Sequence, residues 1–338
     1  MAIENTETIK TPFINLQSDF GFKRAFGSER FRSTLIKFLG AVLGDEITVT
    51  DVRFHDKEIL PSSADGKRIV YDIYCTMDVP SDKTGFSSNY PRLTVSEAPV
   101  SHHFILEMQN IYEPPFEERM VYYAFKLVAE QGKRGWNYEI DPVISIAVTD
   151  FDFSFLSKRI LQDFQLRERE TGEILTRKIR MLFLSLRQVP ERWEECDNEL
   201  QRQLYLIKNM ENLDKNSAPY KEGGYEELFD AAESASIVGE EMVRYSESLD
   251  RLRSYQAGVD YSRLEGIQEG MEKGMQAGLE KGMQAGMEKG KKEGLKAGKE
   301  QIAVRMIKSG MPDMMISNIT ELPLEKIREL RSGLEDKE

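Results

Sequence analysis

A chain of 338 residues, 40% hydrophobic and 9% aromatic, can bury one sizeable α/β core plus an accessory region, or two modest domains. Its formal charge of −12 argues against a passive nucleic-acid binder, which draws most of its affinity from neutralising phosphates with a basic surface. An enzyme whose carboxylates hold cations can stay acidic overall, with basic residues lining only one cleft.

No apolar run approaches the roughly 18 residues of a membrane span. The polar opening of the chain, with Glu4 and Glu7, is unlike a secretory signal. Cys75 and Cys196 are the two cysteines, too few for a disulfide framework or a zinc cluster. A cytoplasmic protein without a membrane partner is expected.

Composition separates the chain into four stretches: 13–153, rich in strand-like runs; 154–262, which reads as helical; 263–300, a Gly-periodic charged segment; and 301–338, a short helical tail. In the first stretch, Phe31 to Leu43 places apolar residues at helical spacing and Gly44 supplies a stop. Ile47 to Phe54 reads as a strand. Arg68 to Val79 alternates as one longer strand, with Val70, Asp72, Tyr74 and Thr76 on one face and Tyr71, Ile73, Cys75 and Met77 on the other. Ser81 to Pro91 is turn-rich. His103 to Gln109 is a further strand. Phe116 to Gln131 reads as a helix between Pro114-Pro115 and Gly132. Pro142 to Val148 is a short apolar run suited to a strand covered on both faces. The order is helix, three strands, helix, strand.

Glu107 and Gln109 lie two residues apart in a strand, so they share a face, while Phe104, Leu106 and Met108 point into a core. A carboxylate is costly to bury unless it is paired or bound to metal. Asp72 occupies a comparable position in the strand before. Two carboxylates on adjacent strands can share a hard divalent cation, which prefers oxygen ligands and can activate water against a phosphodiester. The same spacing also suits two solvated residues on the open face of an antiparallel sheet. His102 and His103 point to opposite faces of the strand and read as surface residues.

These motifs, in this order, resemble the PD-(D/E)XK nuclease superfamily, and more closely its transposase-associated branch with the Rpn-type recombination-promoting nucleases. Ser18-Asp-Phe-Gly-Phe-Lys-Arg-Ala-Phe-Gly27 is similar to that branch's opening signature, Phe104-Ile-Leu-Glu-Met-Gln109 to its catalytic strand, and Arg119-Met-Val-Tyr-Tyr123 to the helix that follows. The resemblance implies a restriction-endonuclease-like α/β fold, an αβββαβ core with a mixed sheet, followed by an α-helical C-terminal region. It implies a metal-dependent DNA endonuclease associated with recombination or mobile elements, using Mg²⁺ or Mn²⁺ held by Asp72 and Glu107. The alternative is a catalytically inactive nuclease fold serving as a DNA-associated or protein-interaction module. Gln109 stands where the superfamily has Lys; a lysine can activate water and offset charge, whereas Gln can only hydrogen-bond. Asp19 and Lys23 belong either to the rim of the cleft, with Lys23 near a phosphate, or to a helix start capped by Ser18 or Asp19. Arg119 and Tyr123 share one helix face, where they contact DNA or brace the catalytic strand.

Glycines recur at every fourth residue from Gly266 to Gly298, between good helix formers. On a helix this spacing draws a groove of small residues stepping about 40° per glycine, a surface on which two helices can pack closely and through which the chain can form a homo-oligomer. As an unstructured chain it would be a flexible linker, since each interior glycine costs a helix about 0.5–1 kcal/mol. The tail that follows reads as short helices joined by tight turns, similar to a helix-turn-helix.

Overall fold

A computed structural model describes residues 11–56, 58–59, 69–79, 100–132, 138–153 and 157–335; the turn-rich Ser81–Pro91 stretch lies outside them. The chain forms two compact units, Met1–Ala257 and Gly258–Glu338.

The first unit opens with helix α1 (Asp19–Phe26), whose start is capped by Ser18: its hydroxyl oxygen accepts from the Gly21 N–H at 3.1 Å. Phe22, Ala25 and Phe26 form its buried face. A Cβ on Gly21 would stand 2.2 Å from the Asn15 carbonyl oxygen, so only glycine lets this helix lie against the preceding loop. Helix α2 (Arg32–Leu43) buries Leu35, Phe38, Leu39 and Val42 and stops at Gly44, whose φ of 58° suits glycine.

Eight strands follow, with one helix between them: β1 (Arg53–Phe54), β2 (Glu58–Ile59), β3 (Ile69–Val70), β4 (Ile73–Val79), β5 (Val100–Gln109), α3 (Phe116–Glu130), β6 (Val143–Thr149), β7 (Leu161–Arg167) and β8 (Ile174–Ser185). Six of them build one mixed sheet in the order β1-β4-β5-β6-β8-β7, while β2 and β3 pair separately. The pairs β5–β6 and β6–β8 are parallel; β1–β4, β4–β5 and β7–β8 are antiparallel. Strand β6 is buried along its whole length, as its unbroken apolar run requires.

The sheet divides the core into two layers. On one face Phe104, Leu106, Ile144, Ile146 and Leu182 pack against α1, α2 and the later helix α4 (Glu199–Asn209). On the other, Ile105, Val143, Ala147 and Phe183 meet α3 through Phe116, Met120, Ala124 and Leu127. Helices α5 (Ala218–Glu222) and α6 (Glu226–Ala232) complete the first layer, and Tyr245 at the start of α7 (Glu240–Lys308) packs into it.

The architecture is the expected α/β core followed by a helical C-terminal region, with three local departures. The strand read over Ile47–Phe54 is paired only at Arg53–Phe54. The run Arg68–Val79 is not one strand: it breaks at Tyr71–Asp72, between β3 and β4. The helical reading of 154–262 fails at its start, because β7 and β8 are strands that extend the same sheet. Leu161, Phe164 and Leu166 do not alternate cleanly, and their strand conformation is set by pairing with β8.

In the second unit, α7 ends in a small bundle with α8 (Asp313–Thr320) and α9 (Leu324–Glu335), cored by Ala303, Ile307, Ile316, Leu322 and Ile327. The glycine-periodic segment is helical throughout. A Cβ added at any glycine from Gly266 to Gly298 would meet no other part of the chain within 4 Å. Among the described residues no helix is long and apolar enough to cross a membrane.

Candidate active site

The register Ile73↔Leu106 is the end of the β4–β5 ladder. The next residues, Asp72 and Glu107, therefore stand opposite each other where β4 has broken off. The break replaces ladder bonds with side-chain bonds. The Asp72 N–H donates to Glu107 Oε1 at 3.1 Å, and the Met108 N–H donates to Asp72 Oδ2 at 3.0 Å. Each carboxylate thus accepts a backbone N–H across the break, Glu107 from Asp72 and Asp72 from Met108.

Their environments differ. Asp72 retains about a fifth of its side-chain exposure, whereas Glu107 is 6% exposed. Burial first, and the nearby Asp72 carboxylate second, push the Glu107 carboxyl up to about 8. The Asp72 N–H, the Arg119 guanidinium and Lys23 oppose that rise. An acidic pair this deep calls for positive charge.

Cations arrive from both helix layers. From α1, the Lys23 ammonium lies 3.0 Å from Asp72 Oδ1 and also pairs with Asp19 one turn earlier. Asp72 and Asp19 raise the Lys23 pKa against a desolvation effect that lowers it, so the ammonium stays charged. From α3, Arg119 Nη2 donates to Gln109 Oε1 at 2.7 Å, and its guanidinium stacks over the Phe116 ring at 4.9 Å. Gln109 Nε2 in turn donates to the Ile111 carbonyl at 2.8 Å. Both ends of the Gln109 amide are therefore engaged, and Gln109 holds Arg119. Tyr123, one turn further along α3, packs edge-on against Tyr71 with ring centroids 5.1 Å apart. Burial and the neighbouring Glu107 raise its phenol pKa.

The structure brings together all seven residues singled out from the sequence: Asp72, Glu107, Gln109, Asp19, Lys23, Arg119 and Tyr123. At the start of α1 Ser18 caps the helix, as one reading of the sequence had it, and Lys23 pairs with Asp19 and Asp72. Three local features differ from expectation. Tyr71 joins the α3 face with Ile105 and Leu127 instead of following Ile73, because the break at Asp72 reverses the alternation. His102 is fully buried. His103 is only partly exposed and lies 2.7 Å from the Tyr74 hydroxyl; neither histidine is a surface residue. The direct Lys23–Asp72 pair was not read from the sequence. Its available signal was Gln109 itself, since a motif lacking its lysine needs a cation from elsewhere.

Among the described residues no group of three or more His, Cys, Asp or Glu side chains gathers as a metal cluster. The donor set of the site is the Asp72 and Glu107 carboxylates. That set suits Mg²⁺, which characteristically takes one or two carboxylates and fills its remaining positions with water and substrate phosphate oxygens.

Neither a curated protein nor a solved structure matches the chain. The sequence model of one family, described as PD-(D/E)XK nuclease family transposase, matches residues 16–81 and 96–262. That span holds the whole mixed sheet, Asp72, Glu107 and the cations on α1 and α3. The match covers well over half of the chain, and the chain belongs to the PD-(D/E)XK nuclease family transposases.

Proposed function

We propose that this chain is a metal-dependent DNA endonuclease hydrolysing phosphodiester bonds, of the Rpn-type recombination-promoting kind, with Asp72 and Glu107 as ligands of Mg²⁺ or Mn²⁺. The observation that carries this reading is the acidic pair opposed across the broken end of β4 and flanked by Lys23 and Arg119. A bound divalent ion would supply charge to a scissile phosphate and lower the pKa of a water.

The chain's own residues do the rest. The Asp72 carboxylate is held by the Met108 N–H and that of Glu107 by the Asp72 N–H, so their oxygens are positioned before substrate arrives. Lys23 balances Asp72 and offers an ammonium to a non-bridging phosphate oxygen. Arg119 is oriented by Gln109, which holds its guanidinium near the acidic pair. Gln109 thus serves as a holder of positive charge where a family lysine would carry it. The same observation favours a second reading, a nuclease fold that binds DNA without turnover, since no lysine on β5 activates water.

Plasmid nicking with and without Mg²⁺, comparing wild type with Asp72→Ala and Glu107→Ala, separates the two. Metal-dependent nicking lost in both variants supports hydrolysis at this site, while nicking indifferent to both removes the assignment. A wild type that nicks with neither Mg²⁺ nor Mn²⁺ supports the second reading. Lys23→Gln is expected to slow nicking by roughly 10–100-fold, the effect typical of a charged residue supporting a metal site, with partial recovery in Lys23→Arg.

The glycine-lined α7 is proposed to mediate self-association. Beside the glycines runs an exposed apolar series, Met271, Met275, Leu279, Met283 and Met287, and small-residue grooves let helices approach closely. Gly274→Leu combined with Gly282→Leu should lower the mass seen in sedimentation equilibrium while leaving helicity intact. Unchanged mass would remove the glycine groove from the interface. A cytoplasmic setting accords with Cys75 and Cys196 both being buried free thiols.

A further inference from the structure

Beside the acidic pair, a groove of about 460 Å³ runs between α1 with its following turn and the first turns of α7. Its basic lining comprises Lys23, Arg24, Arg30, Arg244 and Arg251. Two of these have partners within the chain: Lys23 pairs with Asp19 and Asp72, and Arg24 with Glu241 at 2.8 Å, with Ser236 and with the Ala231 carbonyl. Arg244 makes a 3.2 Å pair with Glu240 in which both side chains are largely exposed, a contact worth little in water. Arg30 and Arg251 are exposed, and neither has a carboxylate partner among the described residues. Once the local pairs are set aside, Glu247 is the one acid of the lining that offsets these arginines. In a chain of charge −12, a positive groove touching the acidic pair through Lys23 is an exception to the overall balance.

The groove is also preformed. Its α7 wall is fastened to the N-terminal segment by the Phe20 N–H donating to Ser248 Oγ and the Asn15 N–H donating to the Tyr245 hydroxyl, each at 3.0 Å. The Phe20 and Tyr245 rings pack 5.9 Å apart. The Arg30 guanidinium lies over the Phe31 ring at 5.0 Å, which restrains its swing while leaving its N–H donors open to a ligand.

We propose that this groove is the track for the DNA backbone flanking the cleavage point, with Arg30 and Arg251 as its phosphate-contacting residues and Arg244 joining them. The proposal rests on the nuclease reading for the identity of the strand, though its contacts lie outside the acidic pair. Contacts of this kind position a strand without reading its bases, so the preference they confer is for nucleic acid and not for sequence.

The test is fluorescence anisotropy with a short labelled DNA duplex in Ca²⁺ buffer, over salt from about 50 to 200 mM. The expected result is that Arg30→Gln/Arg251→Gln binds roughly tenfold more weakly at the low-salt end, with a salt slope shallower by about 1 per residue lost. Arg30→Lys/Arg251→Lys should restore both. Wild-type affinity and slope in the glutamine pair would overturn the track, as would a lysine pair that restores neither, or a wild type that does not bind the duplex. Nicking by Asp72→Asn in the same preparations tests the catalytic reading separately. Nicking lost in Asp72→Asn with binding unchanged in the glutamine pair defeats the track alone. Nicking retained in Asp72→Asn with weakened binding in the glutamine pair defeats the site assignment alone.

Discussion

Glu107→Gln is expected to reduce metal-dependent DNA cleavage by roughly 10²–10⁴-fold, the several kcal/mol that a bound metal contributes to stabilising transition-state charge. The substitution keeps shape and leaves an acceptor for the Asp72 N–H, now at 3.1 Å from Glu107 Oε1, so loss of cleavage would not reflect loss of the local bond. The same variant has a stability signature in metal-free protein. Burial and Asp72 raise the Glu107 pKa from its ordinary 4.5 to about 8. Between those values the folded chain holds a proton that the unfolded chain has released. Raising the pH through this window therefore lowers stability. In urea unfolding with chelator present, wild type should lose stability from about pH 5 to pH 8 and Glu107→Gln should lose less. A wild type and variant with parallel pH dependence would show that Glu107 is not desolvated as described, and cleavage undiminished in the variant would remove Glu107 from the metal site.

The second large effect is structural. Gly21→Ala places a Cβ 2.2 Å from the Asn15 carbonyl oxygen and 3.0 Å from Ser18 Oγ. The first of these contacts is with backbone, so it is relieved only by moving α1 or the loop that carries Asn15. That loop is tied elsewhere, through the Asn15 N–H to Tyr245 and through its side-chain amide to Glu211 at 2.7 Å. A cost of about 3 kcal/mol is expected, at the upper end of overpacking in a tight core, measurable as a lower urea midpoint with an unchanged slope. Because α1 carries Lys23 to Asp72, nicking should fall as well. An alanine variant of wild-type stability would mean that α1 does not abut the Asn15 loop. The conformational demand here is close approach, not an unusual φ, so Gly21→Ser should be no better tolerated.

Much of this architecture was legible from local pattern. The helix over Phe116–Glu130 is bracketed by Pro115 and Gly132, α2 shows its apolar stripe and its glycine stop, and β6 is an unbroken apolar run; in each, neighbouring residues state the conformation. The sharing of one face by Glu107 and Gln109 followed from the two-residue period of a strand, and the resemblance of the surrounding motifs marked out the residues that the fold then gathers. The even choice left over the glycine-periodic segment resolves as helix, in keeping with the helix-forming residues between the glycines.

Tertiary structure decided what local pattern leaves ambiguous. Leu161-Gln-Asp-Phe-Gln-Leu-Arg167 lacks a clean two-residue alternation of apolar positions, and it is a strand because β8 offers a ladder and because Asp163 meets Arg180, itself only 5% exposed, at 2.6 Å. The break at Asp72 carries no local marker such as glycine or proline. It is held by long-range bonds from Asp72 to Glu107 and Met108. The charge that Gln109 lacks comes from Lys23 and Arg119, separated from it in sequence and on opposite layers of the sheet. Helical and strand periods are properties of neighbouring residues and so can be read along the chain. Register, strand breaks and the pairing of buried charges depend on which distant segments meet, and that is determined only when the core closes.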